Sequence, residues 1–469
     1  MGMVEIRFGT DGWRAKMGEN FTFANIRLVA QGYANFLKKN HPTGDIRVLV
    51  NHDTRYLAAE FAREAVKVLS TNRITVFSPE RDSPTPAVSL AIGQNRLHGA
   101  MVLTASFHEL LYNGVKFFSA TGASMLPSQT LLLEREIAAI RERFQFLPCY
   151  SDGQYIKTCD LRPPYLAYLA QVVNFDLIRD SAIRIVVDNL YGTSRDYLDK
   201  LLIDHGTDVL AIHNYTDAFF GGVLPSSDRA SLRELSRLVR ERGADIGLAT
   251  NLDGDRFGVV DARGRFIPAN LIMPLLVEYL LGMRQLEGGI VKSVSTTDLI
   301  DRVAAHYRRK VYETPVGFKY LADMVASRNA LLGIESSNGA SLRGPVRVRD
   351  GILFNLLIAE MVAHHQKPLT ELLADFFRRF PRRISREIPL AVTASRQERY
   401  QQLLDGREIP FGDNRPLRIN RLDGSKFIFA DSWLLIRQSG TRPVIRLYAE
   451  ASSKRRVDEL LQLGRRALG

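Results

Sequence analysis

Short apolar runs alternate with longer segments of helical period from the start of the chain to about residue 380. In the first segment, apolar runs predict buried strands at 47–50, 74–77 and 99–103. Helical periods and helix start signals predict helices at 21–39, 57–70, 84–95 and 128–144. This alternation predicts a mainly parallel sheet that is covered by helices on both faces.

The same alternation continues in two further segments. The second has predicted strands at 183–187, 209–212, 246–249 and 257–260, with helices at 165–173 and 231–242. The third has predicted strands at 289–294 and 331–334, a helix at 297–307 and another that starts at Pro315. After about residue 381, strands come first and a helix at 457–467 follows them.

These patterns predict an α/β fold with three consecutive mixed α/β domains and a smaller C-terminal α+β domain. We place the domains at 1–150, 151–258, 259–380 and 381–469, with the first joint in the polar, broken segment 148–164. A chain of 469 residues is too long for one hydrophobic core, which agrees with several domains.

The composition and charge of the chain exclude several classes of protein. The hydrophobic fraction of 45% and the charged fraction of 24% are those of an ordinary globular protein. The chain has no apolar run of about 18 residues and no apolar signal core near its start, so we expect a cytoplasmic protein without a membrane partner. Cys149 and Cys159 are not in a metal-ligand spacing. The net charge of +12 is spread along the chain without a nucleic-acid motif, so we expect no nucleic-acid partner.

The first candidate site follows the predicted strand 99–103. Ser106 comes at the carboxyl end of that strand, where open α/β sheets bind their ligands. Asn113-Gly114 is predicted to break the chain again before Lys116, which could fold back over the serine. An ordinary strand end would show the same residues, and a histidine such as His108 is more often an ordinary surface imidazole than a catalyst.

Three later loops carry further polar groups. Asn251, Asp253 and Asp255 alternate after the strand 246–249, and oxygen ligands of this kind favour Mg²⁺, although a solvated turn is the alternative. Glu335 and Ser336 could bind sugar hydroxyls, but such a pair is unspecific. The segment 437–441 offers a guanidinium, two hydroxyls and a glycine, which suits a phosphate as well as a hairpin turn.

In order and spacing, these loops resemble those of the α-D-phosphohexomutases, the phosphoglucomutase/phosphomannomutase group. The resemblance covers essentially the whole chain. Its motifs are Phe8-Gly9-Thr10-Asp11-Gly12-Trp13-Arg14, Asp53-Thr54-Arg55, Pro84-Thr85-Pro86, Tyr112-Asn113-Gly114 with Lys116, Pro315-Val316-Gly317-Phe318-Lys319, Asp350-Gly351-Ile352 and Arg446-Leu447-Tyr448-Ala449-Glu450.

The resemblance implies roles for particular residues. Ser106 would carry the transferable phosphate and share Mg²⁺ with Asn251, Asp253 and Asp255, followed by Arg256. Arg14 and Lys116 would assist proton transfer. The residues expected to face the substrate are Lys319, Glu335, Ser336, Arg437, Ser439, Gly440 and Thr441.

The implied reaction interconverts hexose 1-phosphate and hexose 6-phosphate. It would proceed through the phosphoserine and a hexose 1,6-bisphosphate, which also serves as activator. The resemblance further implies one central cleft between the four domains, in a monomer or a homodimer.

The site loops depart from the family pattern at several positions. Phe107, His108 and Glu109 follow the serine where the family has His-Asn-Pro, and Asn251 replaces the first metal-binding aspartate. Ile334 occupies the place of a hydroxyl-binding glutamate, which Glu335 could replace only if the loop shifts by one residue. Arg442 also replaces a glutamate. We therefore expect reduced activity, and the alternative is a homologue that binds sugar phosphates without efficient turnover.

Overall fold

The computed structural model describes residues 6–9, 12–142, 150–406, 415–440 and 443–469. The chain divides into two units. One unit comprises Met1–Pro268 and Ser337–Thr370, and the other comprises Ala269–Ser336 and Glu371–Gly469. Among the helices of the described ranges, none has the length and apolar character that crossing a membrane requires.

The first sheet of the first unit has six strands. They are β1 (Trp13–Lys16), β2 (Arg47–His52), β3 (Thr75–Pro79), β4 (Gly99–Leu103), β5 (Tyr112–Ser119) and β6 (Ile156–Cys159). The helices of this region are α1 (Phe23–Asn40), α2 (Ala58–Thr71), α3 (Thr85–Gln94) and α4 (Pro127–Glu142). The strand order is β1-β5-β4-β2-β3-β6. Strands β4, β2, β3 and β6 run parallel, whereas β1 and β5 are antiparallel to their neighbours.

Strand β5 differs from the sequence-based expectation. Asn113-Gly114 does not break the chain but lies inside β5, between β1 and β4. The glycine is needed for close approach, because a Cβ atom there would lie 2.5 Å from the carbonyl oxygen of Thr104 and 2.8 Å from that of Trp13. Likewise, the segment 148–164, expected to be a broken joint, contains β6, which pairs with β3.

The second sheet also lies in the first unit. Its strands are β7 (Arg184–Asp188), β8 (Asp208–Ile212), β9 (Ile246–Thr250), β10 (Phe257–Asp261) and β11 (Phe266–Ile267), in the order β11-β10-β9-β7-β8. The nearby helices are α5 (Arg162–Val172), α6 (Phe175–Asp180), α7 (Leu198–Asp204) and α8 (Arg233–Arg242). Strands β8, β7 and β9 are parallel. The loop after β9 therefore lies at the carboxyl edge of its sheet, where ligands bind, as does the turn after β4 in the first sheet.

A third group of elements begins the second unit. Strands β12 (Ile290–Ser293), β13 (Val311–Thr314) and β14 (Leu332–Glu335) are parallel, with β12 in the middle. Helices α9 (Ala269–Gly282), α10 (Leu299–His306) and α11 (Phe318–Ser327) belong to the same stretch of chain. The sequence pattern missed α9, which is apolar on nearly every face and contains Pro274.

The chain then returns to the first unit with β15 (Gly339–Leu342) and α12 (Gly351–His365). Helix α12 was also missed, because a helix that is buried on all faces shows no amphipathic period. Asp350 caps it by accepting from the backbone N–H of Leu353 at 2.9 Å, and it accepts from the Tyr165 hydroxyl at 2.6 Å. Burial raises the pKa of Asp350 to about 6.

The C-terminal elements match the expected α+β pattern. Helix α13 (Leu369–Arg379) comes first. It is followed by β16 (Ile384–Ala391), α14 (Ala394–Leu404), β17 (Arg418–Asn420), β18 (Ser425–Ile428), β19 (Trp433–Gln438), β20 (Val444–Ala451) and α15 (Lys454–Leu468). The strands form an antiparallel sheet in the order β16-β20-β19-β18-β17. Apolar side chains of α15 pack with those of β19 and β20 in one core, as Leu460, Leu434 and Leu447 do.

Gly114→Ala tests the close approach of β1, β5 and β4. The added methyl group collides with two backbone oxygens, and such overpacking typically costs about 1–3 kcal/mol. We expect a lower melting temperature by circular dichroism. Gly93→Ala is the matched control, because a Cβ at that exposed helical position meets no atom within 4 Å. Its melting temperature should be equal or higher, and equal effects of the two substitutions would contradict the account.

Candidate active site

Ser106 lies in the turn that follows β4. Its side chain is buried, and its backbone adopts a left-handed conformation with a φ of +54°. Its N–H donates to the Thr104 hydroxyl at 2.8 Å. Residues other than glycine rarely adopt this conformation, and they keep it only where the surroundings enforce it.

Arg55 enforces the conformation of the turn. Its guanidinium group donates to the carbonyl oxygens of Ser106 at 2.7 Å, Glu109 at 2.9 Å and Tyr112 at 3.0 Å, and to that of His108. Asp53 accompanies it at 3.6 Å, and burial raises the pKa of Asp53 to about 6 despite that cation. The sequence marked Asp53-Thr54-Arg55 as a motif after a strand, but gave no role for it.

The acidic loop reaches Ser106 from the end of β9. The Ser106 hydroxyl donates to Asp253 Oδ1 at 2.9 Å. Lys116, on β5, donates to Asp253 Oδ2 at 2.7 Å and lies 3.3 Å from Asp255 Oδ2. The structure therefore brings together the serine, the lysine and both aspartates that the sequence selected.

The Pro84-Thr85-Pro86 motif supports this loop. The N–H of Thr85 donates to the carbonyl oxygen of Asp253 at 3.0 Å. Gly254 has a φ of +69°, and a Cβ there would lie 2.8 Å from the side chain of Pro84. The start of α3 thus fixes the backbone from which Asp253 and Asp255 project.

Asn251 turns its amide nitrogen toward the acidic oxygens. Nδ2 lies 2.8 Å from Asp253 Oδ1, 2.8 Å from Asp255 Oδ1 and 3.0 Å from Ser106 Oγ. The carbonyl oxygen of the side chain accepts from the backbone N–H of Arg256 at 2.9 Å. Because a backbone N–H can only donate, this contact decides which amide atom is the oxygen.

Arg349 is a member of the site that the sequence analysis missed. It precedes the cap of α12 and donates from Nε at 3.1 Å and from Nη2 at 2.8 Å to Asp255 Oδ2. Only its place just before the Asp350-Gly351-Ile352 motif could have drawn attention to it. Asp255 therefore contacts two cationic side chains, Arg349 and Lys116.

These donors do not fit the Mg²⁺ site that the sequence led us to expect. An N–H group cannot coordinate a cation, and Asn251 presents its NH₂ to the oxygens that would be ligands. Mg²⁺ requires several oxygen ligands in near-octahedral geometry. Within the described ranges, no group of three or more His, Cys, Asp or Glu side chains is arranged to hold a metal ion.

The residues that depart from the family pattern form their own contacts. Arg14, on β1, lies with Nη1 3.1 Å from His108 Nε2. The guanidinium group of Arg256 stacks on the ring of Phe107, 4.5 Å from its centroid. Phe107 and His108 therefore hold Arg256 and Arg14 beside the serine turn.

The second unit contains the remaining predicted residues. Ile334 is fully buried within β14. Glu335 follows it on the opposite face of the strand and is 4% exposed. The Ser336 hydroxyl lies 3.0 Å from that of Ser295, and the Lys319 ammonium lies 5.5 Å from the Tyr320 ring centroid.

The predicted phosphate loop begins in the last two residues of β19, which ends at Gln438. Arg437 is largely buried and donates from Nε to Asp423 Oδ2 at 2.8 Å. Asp423 Oδ2 also accepts from the N–H of Val316 at 2.9 Å, which ties this loop to the Pro315 motif. The backbone N–H of Ser439 donates to the carbonyl oxygen of Val444 at 2.9 Å. Gly440 is exposed. Thr441 lies outside the described residues.

Four domain families match the chain in order. They are the Phosphoglucomutase/phosphomannomutase alpha/beta/alpha domain I at residues 5–144, domain II at 163–264, domain III at 268–380 and the C-terminal domain at 390–463. A curated "Phosphoglucomutase/phosphomannomutase" from Thermococcus kodakarensis is 28% identical and covers 97% of each chain. A "Probable phosphoglucosamine mutase" from Pyrococcus furiosus is 26% identical and covers 98% of this chain and 96% of the relative.

Solved structures agree with these matches. The crystal structure of a "putative phosphomannomutase" from Thermus thermophilus has a TM-score of 0.84 at 27% identity and covers 99% of each chain. A family protein from Burkholderia thailandensis shares the fold, with a TM-score of 0.83 at 20% identity over 98% of this chain and 96% of that one. With three mixed α/β domains and an α+β C-terminal domain in the order of these proteins, the chain belongs to the phosphoglucomutase/phosphomannomutase family of intramolecular phosphotransferases.

Proposed function

We propose that this protein moves a phosphoryl group between the 1 and 6 positions of a hexose phosphate, with Ser106 as the carrier. The observation that carries the proposal is the chain of contacts from the Ser106 hydroxyl to Asp253 and from Asp253 to Lys116. It joins an oxygen that can carry phosphate to a carboxylate and an ammonium group in a buried site. Such a set of groups suits phosphoryl transfer, which depends mainly on positioning and on charge stabilisation.

The transfer balances with the groups present. The P–O bond to phosphorylated Ser106 breaks, and a new P–O bond forms to a sugar hydroxyl, which loses its proton. The serine oxygen gains a proton, and we assign its supply to the Lys116 ammonium group, which Asp253 holds with Oδ2 at 2.7 Å while its Oδ1 lies 2.9 Å from Ser106 Oγ. The proton from the sugar hydroxyl returns to Lys116 Nζ, so the step needs no outside acid or base.

The product of this first transfer is a hexose 1,6-bisphosphate, which we propose as intermediate and activator. It must turn over so that its other phosphate returns to Ser106. The Arg14–His108 pair and Arg256 are the cationic or polar groups held next to the serine turn, and we assign them the orientation of the transferring phosphate.

The residues of the second unit are assigned to the rest of the substrate. Arg437 and the exposed Gly440 loop, with Ser439, suit the phosphate that is not being transferred. Glu335, with Lys319 and Ser336, suits the sugar hydroxyls. The names of the relatives cover glucose, mannose and glucosamine phosphates, and this range defines the substrate class that we propose.

A coupled assay with glucose 1-phosphate and a trace of glucose 1,6-bisphosphate tests the function. We expect glucose 6-phosphate to form. If no hexose phosphate turns over while calorimetry still shows that glucose 6-phosphate binds, the protein is a sugar-phosphate-binding homologue instead.

Ser106 is expected to carry phosphate in protein purified without phosphatase treatment. Intact-protein mass spectrometry should show a species that is one phosphate heavier, and peptide mapping should place the phosphate on Ser106. Ser106→Ala should remove this species and the mutase activity. Ser119→Ala, at the far end of β5, is the control that should keep both. Phosphate that persists in Ser106→Ala would contradict the assignment.

Arg55→Lys is expected to lower kcat by roughly 10- to 100-fold, because displacing a reacting group slightly costs about that much. An ammonium group cannot reproduce the guanidinium contacts with four carbonyl oxygens. The KM should change little, because Arg55 touches the serine turn rather than the second unit's loops. Arg63→Lys, at an exposed position on α2, is the control. A change in KM alone would show that Arg55 does not position Ser106.

A further inference from the structure

Mg²⁺ is a cofactor of this family, and phosphoserine is typical of it. We propose that Lys116 and Arg349 neutralise Asp253 and Asp255 within the protein, so that this enzyme transfers phosphate without a requirement for Mg²⁺. The proposal rests on the proposed transfer at Ser106. It goes beyond that transfer by stating which groups neutralise the two carboxylates beside Ser106.

The first support is the charge balance. Asp253 and Asp255 are each 2% exposed, and Lys116 and Arg349 are 4% and 8% exposed. Two buried carboxylates therefore face two buried cations, at distances of 2.7 to 3.3 Å. A divalent ion at the same oxygens would lie against two fixed positive charges, and like charges repel strongly where water is excluded.

The second support is the orientation of Asn251. To give an oxygen to a cation, its side chain would have to rotate by half a turn about its last bond. The NH₂ group would then face the N–H of Arg256, so two donors would meet and neither would have an acceptor. The hydrogen bond from the N–H of Arg256 therefore keeps the NH₂ group of Asn251 directed at Ser106 Oγ. That group is a hydrogen-bond donor and cannot bind a metal ion.

The third support is that the charges at Asn251 and Arg349 change in the same direction. Asn251 lacks the negative charge of the aspartate that the family pattern places there, and Arg349 adds a positive charge 2.8 Å from the neighbouring carboxylate. Arg256 contributes a further cation, with Nε 4.0 Å from Asp255 Oδ1. Ammonium, guanidinium and amide N–H groups are the donors that bind phosphate oxygens. The groups around Ser106 therefore suit an anion rather than a cation.

Calorimetric titration with MgCl₂ tests the proposal without relying on activity. The wild-type protein and Arg347→Gln should show no saturable binding below about 10 mM, weaker than the weakest oxygen sites of divalent ions. Arg347 is the matched control, because it lies two residues from Arg349. The double variant Asn251→Asp, Arg349→Gln should bind Mg²⁺ and gain melting temperature in its presence. Saturable binding by the wild-type protein below about 10 mM would overturn the proposal.

The mutase assay with excess EDTA gives the second arm. Wild-type turnover should stay within about twofold of its value with Mg²⁺, whereas the double variant should depend on the ion by at least roughly tenfold. A wild-type enzyme that loses activity about a hundredfold in EDTA and regains it with Mg²⁺ would overturn the proposal. An enzyme inactive under both conditions would contradict the proposed function instead, and calorimetry would still decide the question of the metal.

Discussion

The contact of Asp253 with both Ser106 and Lys116 is the interaction on which the rest of the site depends. One carboxylate oxygen accepts from the serine and the other from the lysine, so the three groups hold a fixed geometry in a buried place. Each comes from a different element: the turn after β4, the loop after β9 and strand β5. The two sheets of the first unit must therefore present these edges to one another before any chemistry is possible.

The folding constraints around that contact are mostly backbone constraints. Arg55 holds the turn of Ser106 through carbonyl oxygens, the start of α3 holds the acidic loop, and Gly114 lets three strands approach closely. None of these residues needs to touch a substrate. They explain how a strained serine and several buried charges persist, because the surrounding backbone leaves them no alternative arrangement.

The sequence predicted the α/β class, most buried strands and the residues that meet at Ser106, because continuous apolar runs and polar loops at strand ends are local signals. It failed where the cause lies in tertiary packing. Gly114 sits inside a strand because two carbonyl oxygens approach it, and α12 shows no period because it is buried on all sides. Arg349 is far from Asp255 in sequence, and the orientation of Asn251 depends on one backbone N–H.

We propose that this protein's own cations, with Asp253, suffice for phosphoryl transfer at Ser106. The most direct measurement mixes dephosphorylated protein with glucose 1,6-bisphosphate in excess EDTA and follows the mass of the intact chain over time. We expect one phosphate to appear on Ser106 at about the rate observed with Mg²⁺. Phosphorylation that occurs only when Mg²⁺ is added would contradict it.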